Sequence, residues 1–226
     1  MGLEEVMRSV PRHRSIVAID IERSTSPERT NPIREELRHE AYRLLGTALQ
    51  TAGITDVYCD PLADRGDGVL VLIHPADEVP KTLLLNPLVP VLVTLLAERN
   101  ASLRAAERYR RELRLRVVIH AGEIHFDGMG YFGEALDVAF RLLDAPRLKN
   151  RLRQVVTPLV LVVSEDIYWS IVQHDYDGIP GSAFEPLIRV TVAGRRRRGW
   201  VHVPAPRLAP GRVAVPALRN SAAIAA

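Results

Sequence analysis

The run Ser15–Ile19 is short, apolar and rich in β-branched residues, and Ile21 resumes it, yet Asp20 stands inside the pattern. Such a run reads as a buried strand. An ionised carboxylate buried there costs roughly several kcal/mol unless a cation or hydrogen bonds compensate. Any fold for this chain must bury that strand and still give Asp20 a partner.

The rest of the chain supplies more strands and a few helices. Residues 14–22 read as the first strand. "PIREELRHEAYRLLGTALQTAG" follows, a helix with apolar residues at 37, 41, 44, 45, 48 and 49 and Gly53 at its end. "DVYCDPLADRGDGVLVLIHP" predicts a strand, a turn over Asp64–Gly68 and a buried strand Val69–Ile73. A helix with a basic exposed face is predicted over Leu88–Glu112. "LRLRVVIHAGEIHFD" predicts two strands around a tight turn at Ala121–Gly122. Glu134–Leu143 reads as a helix ended by Pro146, and "VVTPLVLVV" as a strand. Ser164 caps a further helix. "PLIRVTVAG" and "GWVHVP" pair across an arginine turn. Three hairpins among alternating strands and helices point to an α+β fold with a mostly antiparallel sheet. The expected organisation is a lead at 1–13, one domain at 14–204 and a mobile tail at 205–226.

Composition excludes some classes. A length of 226 residues suits one large domain, and 47% hydrophobic residues supply an ample core. No apolar run approaches the roughly 18–20 residues that span a bilayer; the longest, Leu83–Ala97, is broken by Asn86, Pro87, Pro90 and Thr94. The N-terminus lacks the apolar core of a signal peptide. A lone cysteine, Cys59, rules out an intrachain disulfide and agrees with a reducing cytosol, so a cytoplasmic protein is expected. A net charge of +3 favours anionic ligands only weakly. The run "GRRRRGW" at Gly194–Trp200 reads as a solvated turn. No aromatic residue interleaves its arginines, so nucleic-acid binding is not expected. His120 and His125 show no metal-ligand spacing and read as core or surface residues.

Asp20 has a candidate partner in "DRGDGVLVLI", where Asp67 lies between two glycines at the tip of the second strand pair. Gly66 and Gly68 permit a tight turn and close backbone approach. Two carboxylates at adjacent strand ends, with the Ile21 carbonyl alongside, make a hard oxygen site for Mg²⁺ or Mn²⁺. Such a pair can hold two ions, one activating a hydroxyl and one binding a polyphosphate.

These motifs together resemble the class III nucleotidyl cyclase catalytic domain from about Arg14 to Pro204. "AIDIERST" is similar to the family's first metal-Asp strand and "RGDGVLVLI" to its second. "LRVVIHAGEIHFD" resembles the segment before the dimerisation arm, and "GYFGEALDVAFRLL" the loop and helix carrying transition-state residues. The resemblance implies a ferredoxin-like α+β core working as a head-to-tail homodimer, metals from one subunit and transition-state groups from the other. It implies Asp20, Asp67 and the Ile21 carbonyl as metal ligands, and Arg141 as the transition-state arginine, whose planar fork meets two phosphate oxygens. Asp137 replaces the family's Asn; four residues before Arg141, it shares a helix face and either orients Arg141 or repels phosphate.

The purine-reading positions hold Ala63 and Gly130, and the family's triphosphate Lys is replaced near Ala193–Gly194, leaving Arg195 as the candidate. Arg65, with Tyr131 or Phe132, is a candidate bracket for a smaller base. On a short stand-alone domain this pattern is similar to the pyrimidine cyclases of bacterial Pycsar antiphage systems. It implies conversion of UTP to 3′,5′-cyclic UMP and diphosphate, a messenger read by a separate effector. A purine cyclase with an unusual pocket and a non-catalytic nucleotide-binding module remain the alternatives.

Overall fold

Strand β1 (Arg12–Ile21) runs through the middle of a sheet because both of its faces are apolar: Val17, Ile19 and Ile21 point one way, Ile16 and Ala18 the other. In this computed structural model residues 10–176 and 178–206 are described; most of the lead and the tail from 207 lie outside them. Helix α1 (Asn31–Thr51) leads to β2 (Ala63–Asp64) and β3 (Gly68–Ile73). Then come α2 (Thr82–Leu85), α3 (Leu88–Ala101), α4 (Ala105–Arg111), β4 (Leu115–Phe126) and β5 (Tyr131–Phe132). Helices α5 (Glu134–Leu143) and α6 (Pro146–Gln154), β6 (Leu159–Ser164), α7 (Glu165–Ser170), β7 (Glu185–Val192) and β8 (Arg195–His202) complete the order.

Among the described residues, eight strands form one sheet in the order β2-β3-β1-β4-β6-β8-β7, with β5 paired to β4. Every pairing is antiparallel except β4 with β6. One core lies between the sheet and α1, α3 and α7; the other lies under α5 and α6. This is the α+β, mostly antiparallel architecture that the hairpin pattern predicts.

Four local expectations are corrected. Residues 115–126 form one unbroken strand, without a turn at Ala121–Gly122. Gly122 serves close packing: a Cβ there would lie 2.8 Å from the Ala135 Cβ of α5. The helix predicted over 88–112 is two, because the Asn100 side chain bonds both main-chain groups of Leu113 (2.8 and 2.9 Å) and fixes the chain's return. Pro146 opens α6, where its missing N–H costs nothing. The arginine run is strand rather than turn; the turn is Ala193–Gly194, both with positive φ.

One helical stretch, Thr82–Ala101, is long and apolar enough to cross a membrane by length and composition, against the expectation from its breaks. Here Leu84, Leu85, Leu88, Val89, Leu92, Val93 and Leu96 are spent on the core beside α1.

Candidate active site

Three strand ends meet at the C-terminal end of β1. Asp20 stands opposite Gly68 on β3 and opposite Arg116 on β4. The Ile21 N–H donates to the Asp67 carbonyl at 3.0 Å, which holds the tip of the β2–β3 hairpin against β1. Gly68 is required for this approach, since a Cβ there would collide with the Ile19 carbonyl oxygen. The Asp67 carboxylate accepts a hydrogen bond from Ser24 in the loop after β1. The structure therefore brings Asp20, Ile21 and Asp67 together at one end of the sheet.

These groups line a cavity of about 480 Å³ together with Ser24, Thr25, Arg65, Arg116, Phe140, Asp144, Lys149 and Arg153. Arg116 is ion-paired with Asp20, both side chains being mostly buried. Burial pushes the Arg116 guanidinium below its ordinary pKa; Asp144 opposes that shift and Arg153 adds to it. Lys149 pairs with Asp144 at 2.8 Å. The Arg65 guanidinium lies over the Phe140 ring at 4.3 Å. A carboxylate pair within a ring of cations is suited to a polyanion that arrives with its own countercharge.

The donor set suits a hard divalent cation. Two carboxylates and a main-chain oxygen are all-oxygen ligands. The Asp20 Oδ2 atom is buried and makes no hydrogen bond of ordinary geometry, its charge met by Arg116. Among the described residues no cluster of three or more Asp, Glu, His or Cys side chains assembles. Two carboxylates alone match the pattern of Mg²⁺-type sites, which leave positions to phosphate and water.

Arg141 and Asp137 lie elsewhere, on the exposed face of α5. They line a second cavity of about 400 Å³ with Phe140, Asp144, Thr191, Val192 and Ala193, just before Arg195. No ion pair joins Asp137 to Arg141 among the described residues, so Asp137 does not orient that guanidinium here. Phe140 and Asp144 line both cavities, which makes α5 the wall between them.

The expected base bracket is not assembled within one chain. Arg65 sits at the Asp20 end of β1. Tyr131 packs on Phe126 at 4.9 Å and Phe132 on His125 at 5.1 Å, both on the β4–β5 hairpin. Asp60 adds to the burial that raises the Tyr131 hydroxyl pKa, and Asp60 pairs with Arg14 near the start of β1. Arg14 and Asp20 are six residues apart on one strand, about 20 Å at the usual rise. Ala63 lies on β2 and Gly130 just before β5.

Sequence reasoning missed Arg116, Lys149, Arg153 and Ser24. Arg116 was signalled: in "LRLRVVIH" an arginine interrupts a buried strand as Asp20 interrupts its own.

The strand order and the placement of these helices define the class III nucleotidyl cyclase fold. Solved structures with this fold include the adenylate/guanylate cyclase/hydrolase from Silicibacter pomeroyi, at 20% identity and TM-score 0.59, matched over 87% of this chain and 99% of that one. The adenylyl cyclase CyaB from P. aeruginosa is 15% identical with TM-score 0.57, over 89% and 98% of the two chains. The guanylyl cyclase Cya2 is 15% identical with TM-score 0.56, over 88% and 96%. No family model and no curated protein matches the sequence.

Proposed function

We propose that this chain is a nucleotidyl cyclase that converts UTP to 3′,5′-cyclic UMP and diphosphate, acting as a head-to-tail homodimer. The observation that carries the reading is the pair Asp20 and Asp67, held at adjacent strand ends in a cavity rimmed by Arg116, Lys149 and Arg153. Asp20, Asp67 and the Ile21 carbonyl would hold Mn²⁺ or Mg²⁺. When bound, two such ions supply activation of the ribose 3′-hydroxyl and neutralisation of the triphosphate. Arg116, Lys149 and Arg153 bind phosphate oxygens, Arg116 turning to them once Asp20 has another cation to face. Arg141 of the partner stabilises the charge that develops on the α-phosphate as the 3′-oxygen attacks and diphosphate leaves. Arg195, beside that second cavity, supplies a further triphosphate contact.

Support for a pyrimidine is the loss of side chains that could bond a purine edge at Ala63 and Gly130. A site without those partners discriminates poorly for purines. Tyr131 and Phe132, next to Gly130, are the chain's aromatic contribution to the base pocket across the dimer. In this reading cyclic UMP is an antiphage signal sensed by a separate effector, as the likeness to Pycsar cyclases suggests.

Incubating the protein with Mn²⁺ and each of ATP, GTP, CTP and UTP, followed by mass analysis, tests the proposal. Cyclic UMP as the main product supports it. Cyclic AMP or cyclic GMP as the main product makes it a purine cyclase. No cyclic product from any nucleotide, in protein that binds Mn²⁺, makes it a nucleotide-binding module.

A further inference from the structure

Strand alternation divides the arginine run between the two faces of the sheet. Arg195 and Arg197 share the α5 face with Val190 and Val192, and Arg197 pairs there with Glu134. Arg196 and Arg198 lie on the opposite face, with Arg189 directly across from Arg198 and Thr191 across from Arg196. Arg189, Arg196 and Arg198 are exposed, and among the described residues none has a carboxylate partner. Like charges directly opposite on one sheet face are destabilising. An anion from outside relieves that repulsion.

The same row of β8 continues to Trp200. That ring is buried, stacks on Tyr168 at 4.3 Å and meets Trp169 edge-on at 5.8 Å. Trp169 is 49% exposed. The fold thus brings an accessible indole to the end of an arginine row that has no aromatic residue within it. We propose that this face binds single-stranded nucleic acid, Arg189, Arg196 and Arg198 meeting backbone phosphates and Trp169 stacking on an unpaired base.

The spacing and chemistry favour this ligand. Arg196 and Arg198 are two residues apart on one face, about 7 Å along the strand, so each can hold a different phosphate with its planar fork. An exposed indole is used by an unstacked base and has no counterpart in a duplex, whose base faces are already covered. Three arginines fall short of the roughly four to eight basic residues that hold a polybasic segment on an acidic membrane. The face is the one opposite α5 and shares no residue with the Asp20 cavity; Thr191, across from Arg196, also lines the Arg141 cavity.

The test is fluorescence anisotropy of a labelled oligothymidylate of about 12 nucleotides, within the span that such grooves cover, titrated with the full chain. Binding is expected at about 50 mM salt and falls steeply as salt rises. The double variant Arg196→Gln/Arg198→Gln should raise Kd at least about tenfold and lower the log–log salt slope by about 1.4, two phosphates' worth. Trp169→Ala should raise Kd with the slope unchanged, and Trp169→Phe should restore most of the affinity. Melting temperatures of the variants check that each is folded. No binding at low salt, a double variant with the parent's Kd and slope, or tighter binding to the same-length duplex would overturn the proposal. So would capture by phosphatidylserine vesicles without binding to oligothymidylate.

Discussion

Arg116 lies directly across the β1–β4 ladder from Asp20 and is ion-paired with it, and two residues along Arg114 pairs with Glu22 at 3.0 Å. The carboxylate expected to bind metal therefore has a resident cation. Removing one member of a buried pair leaves the other charge uncompensated, at a cost of about 3–5 kcal/mol. Asp20→Ala should lower stability by about that much in urea unfolding. Asp20→Ala/Arg116→Leu should recover most of the loss, while both variants stay inactive in the cyclase assay. An unchanged midpoint for Asp20→Ala would mean that the pair contributes nothing to folding.

The two cavities on either side of α5 predict subunit complementation. Asp20→Asn and Arg141→Ala should each be inactive alone. In a head-to-tail dimer of the two variants, one site pairs both lesions and the other has none. Random mixing should then restore about a quarter of the parent turnover, since half the dimers are mixed and each has one good site. No recovery, with mixed dimers demonstrated by mass, would place the two residues in the same chain's site.

Asp137 lines the Arg141 cavity without pairing to it. Its charge faces the region where phosphate is expected. Asp137→Asn should therefore raise kcat/KM about fivefold, corresponding to relief of roughly 1 kcal/mol of like-charge repulsion. A fall of similar size would show that Asp137 positions a substrate group instead.

His120 gives a pH dependence unconnected with the site. It is 4% exposed, hydrogen-bonded to Ser164 Oγ at 2.7 Å, and 3.7 Å from Asp166. Burial lowers its pKa from 6.5 to about 4, Asp166 opposing the shift. The unfolded chain takes up a proton first as pH falls, so the neutral native form loses stability between about 6.5 and about 4. The loss over that window is about 3 kcal/mol. His120→Leu should flatten it in urea melts; a parent curve already flat between pH 4 and 6.5 would contradict the assignment.

Much of this architecture is legible in the sequence, for identifiable reasons. Asp20 and Asp67 stand out because a charge in an apolar strand and an acid between glycines are local anomalies. The hairpin of β7 and β8 shows as two alternating runs. What stays hidden depends on partners far along the chain. Gly122 reads as a turn until Ala135 is seen against it. Arg65 and Tyr131 are both near glycine loops, and only the length of β1 separates them. The exposed indole that meets Trp200 at the end of the arginine row, Trp169, comes from α7, some thirty positions earlier, beyond the reach of any local pattern.

Helix α5 is ten residues long, and its Phe140 and the Asp144 that follows its last turn line both cavities. In a head-to-tail pair, one of those cavities belongs to the chain's own carboxylates and the other is offered to its partner's. A shift of this one rod would loosen one reaction centre and crowd the other at the same instant. In the proposed homodimer, two such rods related by symmetry would yoke the pair of centres together, so that neither could be tuned without a response in its twin.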